Sequence, residues 1–256
     1  MSTLFDLSDR VAFVTGAGSG IGRRLALGFA EAGADVGCFD LNPDSAAETV
    51  DMIREIGRKA HATAGDVRDQ QAVQESIAET SSALGPLSIA LNNAGIDRQD
   101  KAEEMTLDAW RQVIDVNLTG VFLCAQAEAQ HMLANNETGC SIINIASMSA
   151  SIVNRDMFQS HYNASKAGVK HLTKTLASEW ARRGIRVNSI SPGYILTPLT
   201  EADDIGPLRP VWEELTPLGR IGRTQDLVGP AVFLASEAAA FTTGADLIVD
   251  GGYVCW

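Results

Sequence analysis

Seven short runs rich in β-branched residues alternate with longer segments of helical periodicity along this chain. The strand-like runs are RVAFVTG, ADVGCFD, KAHATAGD, LSIALNNAG, CSIINIAS, IRVNSISPG and ADLIVDGG. Helical patterns occupy 21–32, 43–57, 70–84, 107–135, 162–183 and 224–235. Because strands that alternate with helices pair in parallel, the pattern predicts an α/β fold whose helices cover both faces of a parallel sheet.

The charge of the chain excludes several classes of partner. Its 256 residues carry a net charge of -12, the pI is about 4.7, and there is no basic run. We therefore expect neither nucleic acid nor an anionic membrane as a partner. No apolar stretch approaches the roughly 20 residues that span a bilayer, and the first residues lack the pattern of a signal peptide.

The cysteines indicate a reducing compartment. Cys38, Cys124, Cys140 and Cys255 are scattered along the chain and form no C-x-x-C motif. They are interpreted as reduced thiols of a cytoplasmic protein. The four histidines also lack the spacing of a zinc site.

A glycine-rich segment joins the first strand to the first helix. It reads TGAGSGIG, with Thr15, Gly16, Gly20 and Gly22 in the pattern T-G-x-x-x-G-I-G. The stricter pattern G-x-G-x-x-G fails, because Ile21 stands where its last glycine belongs. Glycines let the backbone turn tightly and approach a pyrophosphate at the helix N-terminus. The segment therefore predicts a dinucleotide-binding site. The alternative is a tight turn that binds no ligand.

The second strand ends in CFDLN, which places Asp40 eighteen positions after Gly22. A carboxylate at about this distance accepts a hydrogen bond from the ribose 2′-hydroxyl and repels a 2′-phosphate. Leu41 and Ser19 nearby add no positive charge. The sequence therefore predicts NAD rather than NADP, although Asp40 could instead cap the turn before Pro43.

Further motifs follow in a fixed order. They are GDV at 65–67, NNAG at 92–95, VNLTG around Asn117, a serine after IINIA, YxxxK at 162–166 and PG at 192–193. With the glycine-rich turn, they resemble the short-chain dehydrogenase/reductase family over essentially the whole chain. The resemblance implies that residues 1–256 form a single Rossmann-type, doubly wound domain with a seven-stranded parallel sheet.

The resemblance also implies which residues contact the cofactor. Asp66 and Val67 would cup the adenine, the NAG segment would line the cofactor, and Ile195 and Thr197 would hold the nicotinamide amide. The expected cofactor-binding residues are Gly16, Ser19, Gly20, Ile21, Gly22, Asp40, Leu41, Asp66, Val67, Asn93, Ala94, Gly95, Tyr162, Lys166, Pro192, Gly193, Ile195 and Thr197.

Tyr162 and Lys166 lie four positions apart and therefore share one face of the predicted helix. A free phenol, with a pKa near ~10, is a poor base at neutral pH. An ammonium about 4 Å away, in an effective dielectric of about 20, stabilises the phenolate by about 4 kcal/mol, which lowers that pKa by about three units. We therefore expect a general base, helped by the positive charge of oxidised nicotinamide. The alternative is an ordinary surface pair.

Two more catalytic positions come from the resemblance. The family's catalytic serine matches Ser147, and Ser149 is the competing hydroxyl. The family's asparagine matches Asn117, which would bend its helix and hold a water that relays protons from Lys166; alternatively, Asn117 is a buried amide with satisfied hydrogen bonds. The expected catalytic set is Asn117, Ser147, Tyr162 and Lys166.

The segment SMSASIVNRDMFQSHY and the ending DGGYVCW resemble the polyol (galactitol-type) dehydrogenases of this family. Asn154, Arg155, Gln159 and His161 would place polar groups beside the catalytic tyrosine, as a polyhydroxylated substrate requires, unless they only pin the loop. The expected substrate contacts are Ser147, Ser149, Asn154, Gln159 and Tyr162. The expected reaction is NAD-dependent interconversion of a secondary alcohol of a polyol or sugar and its ketone.

Three features beyond the catalytic residues are also expected. The segment 197–218 contains four prolines and no long periodicity, which predicts a substrate lid. The resemblance implies a homotetramer, or a dimer, assembled through the long helices at 107–135 and 162–183. It also implies that the C-terminal carboxylate of Trp256 takes part in a structural magnesium site.

Two other functions compete with the polyol dehydrogenase. A 3-oxoacyl carrier-protein reductase usually needs NADPH and a basic docking patch, which Asp40 and the net charge of -12 disfavour. A regulator that only binds NAD would have no need for the complete set of serine, tyrosine, lysine and asparagine.

Overall fold

The computed structural model describes residues 3–197 and 208–255, and a parallel sheet forms its centre. The strands found in these two ranges are β1 Val11–Thr15, β2 Asp35–Asp40, β3 Ala60–Ala64, β4 Ile89–Asn92, β5 Cys140–Ile145, β6 Ile185–Pro192, β7 Ile195–Leu196, β8 Gly222–Arg223 and β9 Asp246–Val249. Seven of them pair in the main sheet, while β7 and β8 form a small separate pair. Every strand of the main sheet was expected from the sequence.

The order of the main sheet creates a crevice. Its strands follow one another as β3–β2–β1–β4–β5–β6–β9, and every neighbouring pair is parallel. The chain runs outward from β1 to β3 and then returns to the other side of β1 with β4. Ligands bind open α/β sheets at such a reversal, beyond the carboxyl ends of the strands.

Helices cover both faces of the sheet. They are α1 Gly20–Glu31, α2 Pro43–Glu55, α3 Gln70–Leu84, α4 Leu107–Ile114, α5 Val121–Ala134, α6 Ser160–Trp180, α7 Arg209–Leu215 and α8 Val228–Ala235. Apolar residues of α1, α2 and α8 pack on one face, and those of α3, α5 and α6 pack on the other. The predicted α/β fold, doubly wound with a seven-stranded parallel sheet, is confirmed.

Two predicted helices differ from their expected form. The helix expected at 107–135 is interrupted by a π-helical turn, Asp115–Gly120, between α4 and α5. The helix expected at 224–235 begins with a 3₁₀ turn, Thr224–Leu227, before α8. Because α8 starts at Val228, Pro230 lies in its first turn. Proline is tolerated there, since the N–H groups of a first turn have no partner within the helix.

A buried polar network ties the sheet to the helices just before the crevice. Asn92 on β4 donates to Glu128 Oε2 at 3.0 Å and to Asn144 Oδ1 at 3.1 Å, and Asn144 donates to Thr173 Oγ1 at 3.0 Å. Burial raises the pKa of Glu128 to about 8, so this carboxyl is mostly protonated at neutral pH. Two buried oxygens of the network, Asn92 Oδ1 and Glu128 Oε1, have no hydrogen-bond partner among the described residues.

Cys38, Cys124 and Cys140 are buried, Cys255 is exposed, and all four are free thiols. Within the described ranges, no helix combines the length and the apolar character required to cross a membrane.

The expected lid at 197–218 is described only in part. Residues 198–207 lie outside the described ranges, whereas α7 occupies most of the remainder. The lid therefore stays a prediction, as does the assignment of residues 1–256 to one domain.

Candidate active site

A large cavity lies beyond the carboxyl ends of β1 and β4. Its volume is about 690 Å³, large enough for a dinucleotide fragment and a small substrate. Of the eighteen expected cofactor contacts, all but Gly22 line it. The structure thus brings together residues from both halves of the chain that the motifs singled out separately.

The glycine-rich turn forms the end of the cavity at which a phosphate is expected to bind. Gly16 and Gly20 have φ angles of 63° and 52°, which favour glycine. Gly22 is buried against the turn, and a Cβ added there would lie 2.0 Å from the carbonyl oxygen of Gly16. Ser19 is the N-cap of α1 but makes no side-chain capping bond. The first N–H groups of α1 are therefore available to an anion such as a phosphate.

The adenosine end is formed by the loops after β2 and β3. Asp40 Oδ2 accepts a hydrogen bond from the N–H of Gly18 at 2.8 Å, and Oδ1 accepts one from the N–H of Asn42 at 2.9 Å. These bonds hold the carboxylate at the edge of the glycine turn. Asp66 accepts hydrogen bonds from Arg68, and these bonds are the main reason that the pKa of Asp66 is lowered.

The NNAG loop joins the glycine turn to the centre of the cavity. Asn93 donates from its amide nitrogen to the carbonyl oxygens of Thr15 and Gly16, at 3.2 Å in both cases. Thr15 Oγ1 in turn accepts hydrogen bonds from the N–H groups of Asn93 and Ala94. Asn93 is therefore a positioning residue that fixes the phosphate turn relative to β4.

Tyr162, Lys166 and Ser147 meet near the middle of the cavity. Lys166 Nζ lies 5.7 Å from the centroid of the Tyr162 ring and donates to the carbonyl oxygen of Ile145 at 2.8 Å. Ser147 forms a hydrogen bond with the Tyr162 hydroxyl, and its Oγ accepts one from the N–H of Ser149. Of the two candidate serines, the described contacts place Ser147 against the phenol.

The electrostatics of this pair correct an expectation from the sequence. Burial is the main cause that raises the pKa of Tyr162 to about 12, and the charge of Asp97 also raises it. The hydrogen bond with Ser147 has the opposite, smaller effect. Burial also lowers the pKa of Lys166 to about 8. The expectation that Lys166 makes the phenol acidic is therefore wrong for the protein's own groups, because desolvation and the charge of Asp97 keep the pKa of Tyr162 above its usual value.

Asn117, which is expected among the catalytic groups, does not itself line the cavity, and its catalytic role stays a prediction. It is completely buried in the π-helical turn. Its Oδ1 accepts from the N–H of Ile96 at 2.8 Å, and its Nδ2 donates to the Ile96 carbonyl at 2.8 Å and to Ser165 Oγ at 3.3 Å. The expected bend in the helix is present, but the described contacts are those of the alternative interpretation, a satisfied buried amide.

The expected substrate residues line the cavity and also bond to one another. Asn154 Oδ1 accepts from Ser149 Oγ at 2.6 Å and from Gln159 Nε2 at 3.1 Å. Asn154 Nδ2 donates to the Tyr194 hydroxyl at 3.0 Å. These residues pin the loop and also line the cleft, and their contact with a substrate stays a prediction.

Two other polar residues do not reach the cavity. Arg155 is exposed and lies 3.5 Å from Asp156. His161 is completely buried on the other side of the helix start, with Nε2 3.8 Å from Asp100. Because neither side chain lines the cavity, the expectation that these two residues flank the substrate gains no support from the described contacts and stays a prediction.

Sequence reasoning missed an aromatic wall and one carboxylate. Tyr194 stacks on Trp212, with ring centroids 3.9 Å apart and an angle of 8°, and meets Tyr253 edge-on. Tyr194 follows the PG motif and Asp97 follows NNAG by two positions, so motif proximity could have found both. Trp212 lies on α7 far along the chain, and no motif points to it. Tyr194, Trp212 and Asp97 line the cavity, whereas Tyr253 does not.

Comparisons with known proteins agree with this geometry. A family model described as "Enoyl-(Acyl carrier protein) reductase" matches residues 16–254. The galactitol 2-dehydrogenase (L-tagatose-forming) of Cereibacter sphaeroides is 42% identical over 256 residues, covering 99% of this chain and 98% of that protein.

Solved structures extend the comparison. A short-chain type dehydrogenase/reductase from Mycobacterium marinum has a TM-score of 0.95 at 43% identity, covering 99% of this chain and 98% of that one. A gluconate 5-dehydrogenase from Burkholderia cenocepacia, in complex with NADP and tartrate, has a TM-score of 0.91 at 37% identity, covering 99% and 98%.

The fold, the glycine turn and the Tyr162–Lys166 pair form one site, and relatives that match nearly the full length share the architecture. The resemblance inferred from the motifs is confirmed. This chain belongs to the short-chain dehydrogenase/reductase family of NAD(P)-dependent oxidoreductases.

Proposed function

We propose that this enzyme interconverts a secondary alcohol of a polyol or sugar and the corresponding ketone, with NAD as the cofactor. The meeting of Tyr162, Ser147 and Lys166 in one polar cavity is the observation that carries the proposal. The similarity to a galactitol 2-dehydrogenase supports a polyhydroxylated substrate.

Each catalytic side chain has one role. Tyr162 takes the proton of the substrate hydroxyl, and Ser147 donates a hydrogen bond that positions the same oxygen. Lys166 holds the cofactor ribose and stabilises the phenolate. Bound NAD would accept the hydride from the alcohol carbon and would bring the positive charge of its oxidised ring. Asn117 holds the main chain at Ile96; the water relay through Asn117 stays a prediction.

The energetics require more than one cation. Lowering the pKa of Tyr162 from about 12 to about 8 takes roughly 5 kcal/mol of preferential stabilisation of the phenolate. One positive charge at ~4 Å, in an effective dielectric of ~20, supplies about 4 kcal/mol. Because the pKa of about 12 is that of the protein with Lys166 in place, the oxidised nicotinamide must supply the further stabilisation, and its charge brings the pKa to about 9.

Asp40 favours NAD over NADP, although the Burkholderia neighbour holds NADP. We expect wild-type kcat/KM to favour NAD over NADP by about a hundredfold, because the carboxylate repels a 2′-phosphate. Asp40→Ser should reduce that ratio at least about tenfold. Steady-state kinetics with both cofactors measure it, and Asp44→Asn, which removes an exposed charge from the first turn of α2, is the control. Equal use of both cofactors by the wild type would refute the assignment.

A substrate screen tests the proposal as a whole. Hexitols, pentitols and tetritols are each incubated with the enzyme and NAD at alkaline pH, and reduction is followed by absorbance. We expect turnover of at least one of these alcohols. Turnover of an acyl thioester or a steroid in place of every polyol would contradict the substrate class, and NAD binding without any turnover would favour a regulator.

The competing acyl-carrier reductase has one observation in its favour, namely the description of the matching family model. Against it stand the hydroxyl and amide groups of Ser149, Asn154 and Gln159 along the cavity wall. The net charge of -12 also disfavours the basic patch that docks a carrier protein.

Other expectations remain proposals. The exposed apolar residues Leu107, Trp110 and Phe122 on α4 and α5 suit burial in a homotetramer. Within the described residues, no cluster of three or more His, Cys, Asp or Glu could hold a metal, and Trp256, the expected magnesium ligand, lies outside them. A cytoplasmic location likewise stays a prediction from the free cysteines.

A further inference from the structure

Asp97 places a carboxylate in the cleft that the roles above leave unused. It follows Gly95 by two positions and lines the cavity together with Tyr162 and Tyr194. Its Oδ1 accepts a hydrogen bond from the N–H of Arg98 at 2.8 Å. Across residues 3–197 and 208–255, no hydrogen bond or ion pair engages Oδ2. One oxygen of a largely buried carboxylate thus remains able to accept a hydrogen bond.

The groups around Asp97 locate its charge within the cleft. Burial is the main cause of the shifted pKa values of Tyr162, Lys166 and Tyr194, and the charge of Asp97 contributes to all three. Asp97, Tyr162, Lys166 and Tyr194 line the same cavity, so the carboxylate lies within electrostatic reach of the other three groups. Arg98, its chain neighbour, also lines the cavity but is exposed. The part of a substrate beyond the reacting carbon would occupy this space.

The ionisation of Asp97 suits a role in recognition. Burial raises its pKa to about 6, so the group is charged above pH 7 despite its partial desolvation. A charged, partly desolvated carboxylate in a binding cleft is stabilised by hydrogen bonds from hydroxyl groups. Binding a second carboxylate beside it is strongly unfavourable.

We propose that Asp97 selects neutral polyols over polyhydroxy carboxylates such as aldonates, an inference that rests on the proposed function and narrows its substrate class. Asp97 Oδ2 accepts a hydrogen bond from a substrate hydroxyl away from the reacting carbon. The same charge repels the carboxylate of an aldonate in that position. Asp97 is thus a specificity residue, distinct from the proton-transferring set.

The test compares kcat/KM for the best polyol of the screen with kcat/KM for the aldonate of the same carbon number, for example galactitol and gluconate. We expect wild type to favour the polyol, and Asp97→Asn to shift the ratio toward the aldonate by about tenfold or more. Asp97→Thr provides a second neutral variant should the first be unstable. Asp156→Asn changes the net charge equally at an exposed residue that does not line the cavity, and should leave the ratio unchanged.

A pH profile adds a measurement that would not change if Asp97 had only a structural role. Because the charge of Asp97 raises the pKa of Tyr162, Asp97→Asn should shift the rising limb of kcat/KM for polyol oxidation to lower pH. Normal polyol oxidation with an unchanged ratio in both neutral variants would overturn this inference alone. Failure of the wild type to oxidise any polyol or aldonate, despite NAD binding, would overturn the proposed function and this inference with it.

Discussion

Tyr162→Phe should lower kcat for alcohol oxidation by about a thousandfold or more while leaving NAD affinity within about threefold of wild type. The substitution removes only the hydroxyl, which is the proposed proton acceptor, and general bases contribute 10²–10⁴-fold to rate. The ring that packs below Lys166 is retained. Steady-state kinetics give kcat, and a fluorescence titration with NAD gives the affinity.

The control for this variant is Tyr253→Phe. That phenol packs edge-on against Tyr194 and lies outside the cavity lining. It should retain turnover near the wild-type level. Turnover of Tyr162→Phe within tenfold of the wild type would show that another group accepts the proton.

Gly22→Ala should weaken NAD binding by about a hundredfold, or about 3 kcal/mol. The added Cβ would lie 2.0 Å from the Gly16 carbonyl oxygen and 2.5 Å from Asn93 Nδ2. Neither neighbour can yield easily, because the first is backbone and the second anchors the turn to β4. The phosphate turn must therefore open. Isothermal titration with NAD measures the loss.

Gly229→Ala is the matched control for that substitution. Gly229 lies in α8, and a Cβ added there would meet nothing within 4 Å. Alanine is favoured over glycine in a helix by about 1 kcal/mol, so NAD affinity should be unchanged and the thermal midpoint should not fall. Wild-type affinity in Gly22→Ala would mean that the turn does not bind the pyrophosphate.

Local sequence was sufficient for the sheet and the cofactor end of the site. A strand buried on both faces reads as a nearly continuous apolar run, as in β1, and a glycine turn marks its end. The residues of the glycine turn, the NNAG loop and the Tyr162–Lys166 pair are close in the chain or fixed by helical spacing. Such features depend on residues that are close together along the chain, and a sequence shows these directly.

Other features required three-dimensional information. The completely buried Asn117 looks in the sequence like any polar residue of a helix, and only its bonds to Ile96 and Ser165 reveal its environment. The stack of Tyr194 on Trp212 joins segments separated by the residues from 198 to 207. The raised pKa of Tyr162 depends on desolvation, which no spacing rule includes.

The most direct test is the ionisation of Tyr162 itself. Ultraviolet difference titration of wild type against Tyr162→Phe, with and without saturating oxidised NAD, isolates one phenol among the three tyrosines of the chain. The account predicts a pKa of about 12 in the protein alone, falling to about 9 or below when NAD adds its charge to that of Lys166. A pKa that stays at about 12 with NAD bound, in an enzyme that still oxidises its alcohol, would contradict it.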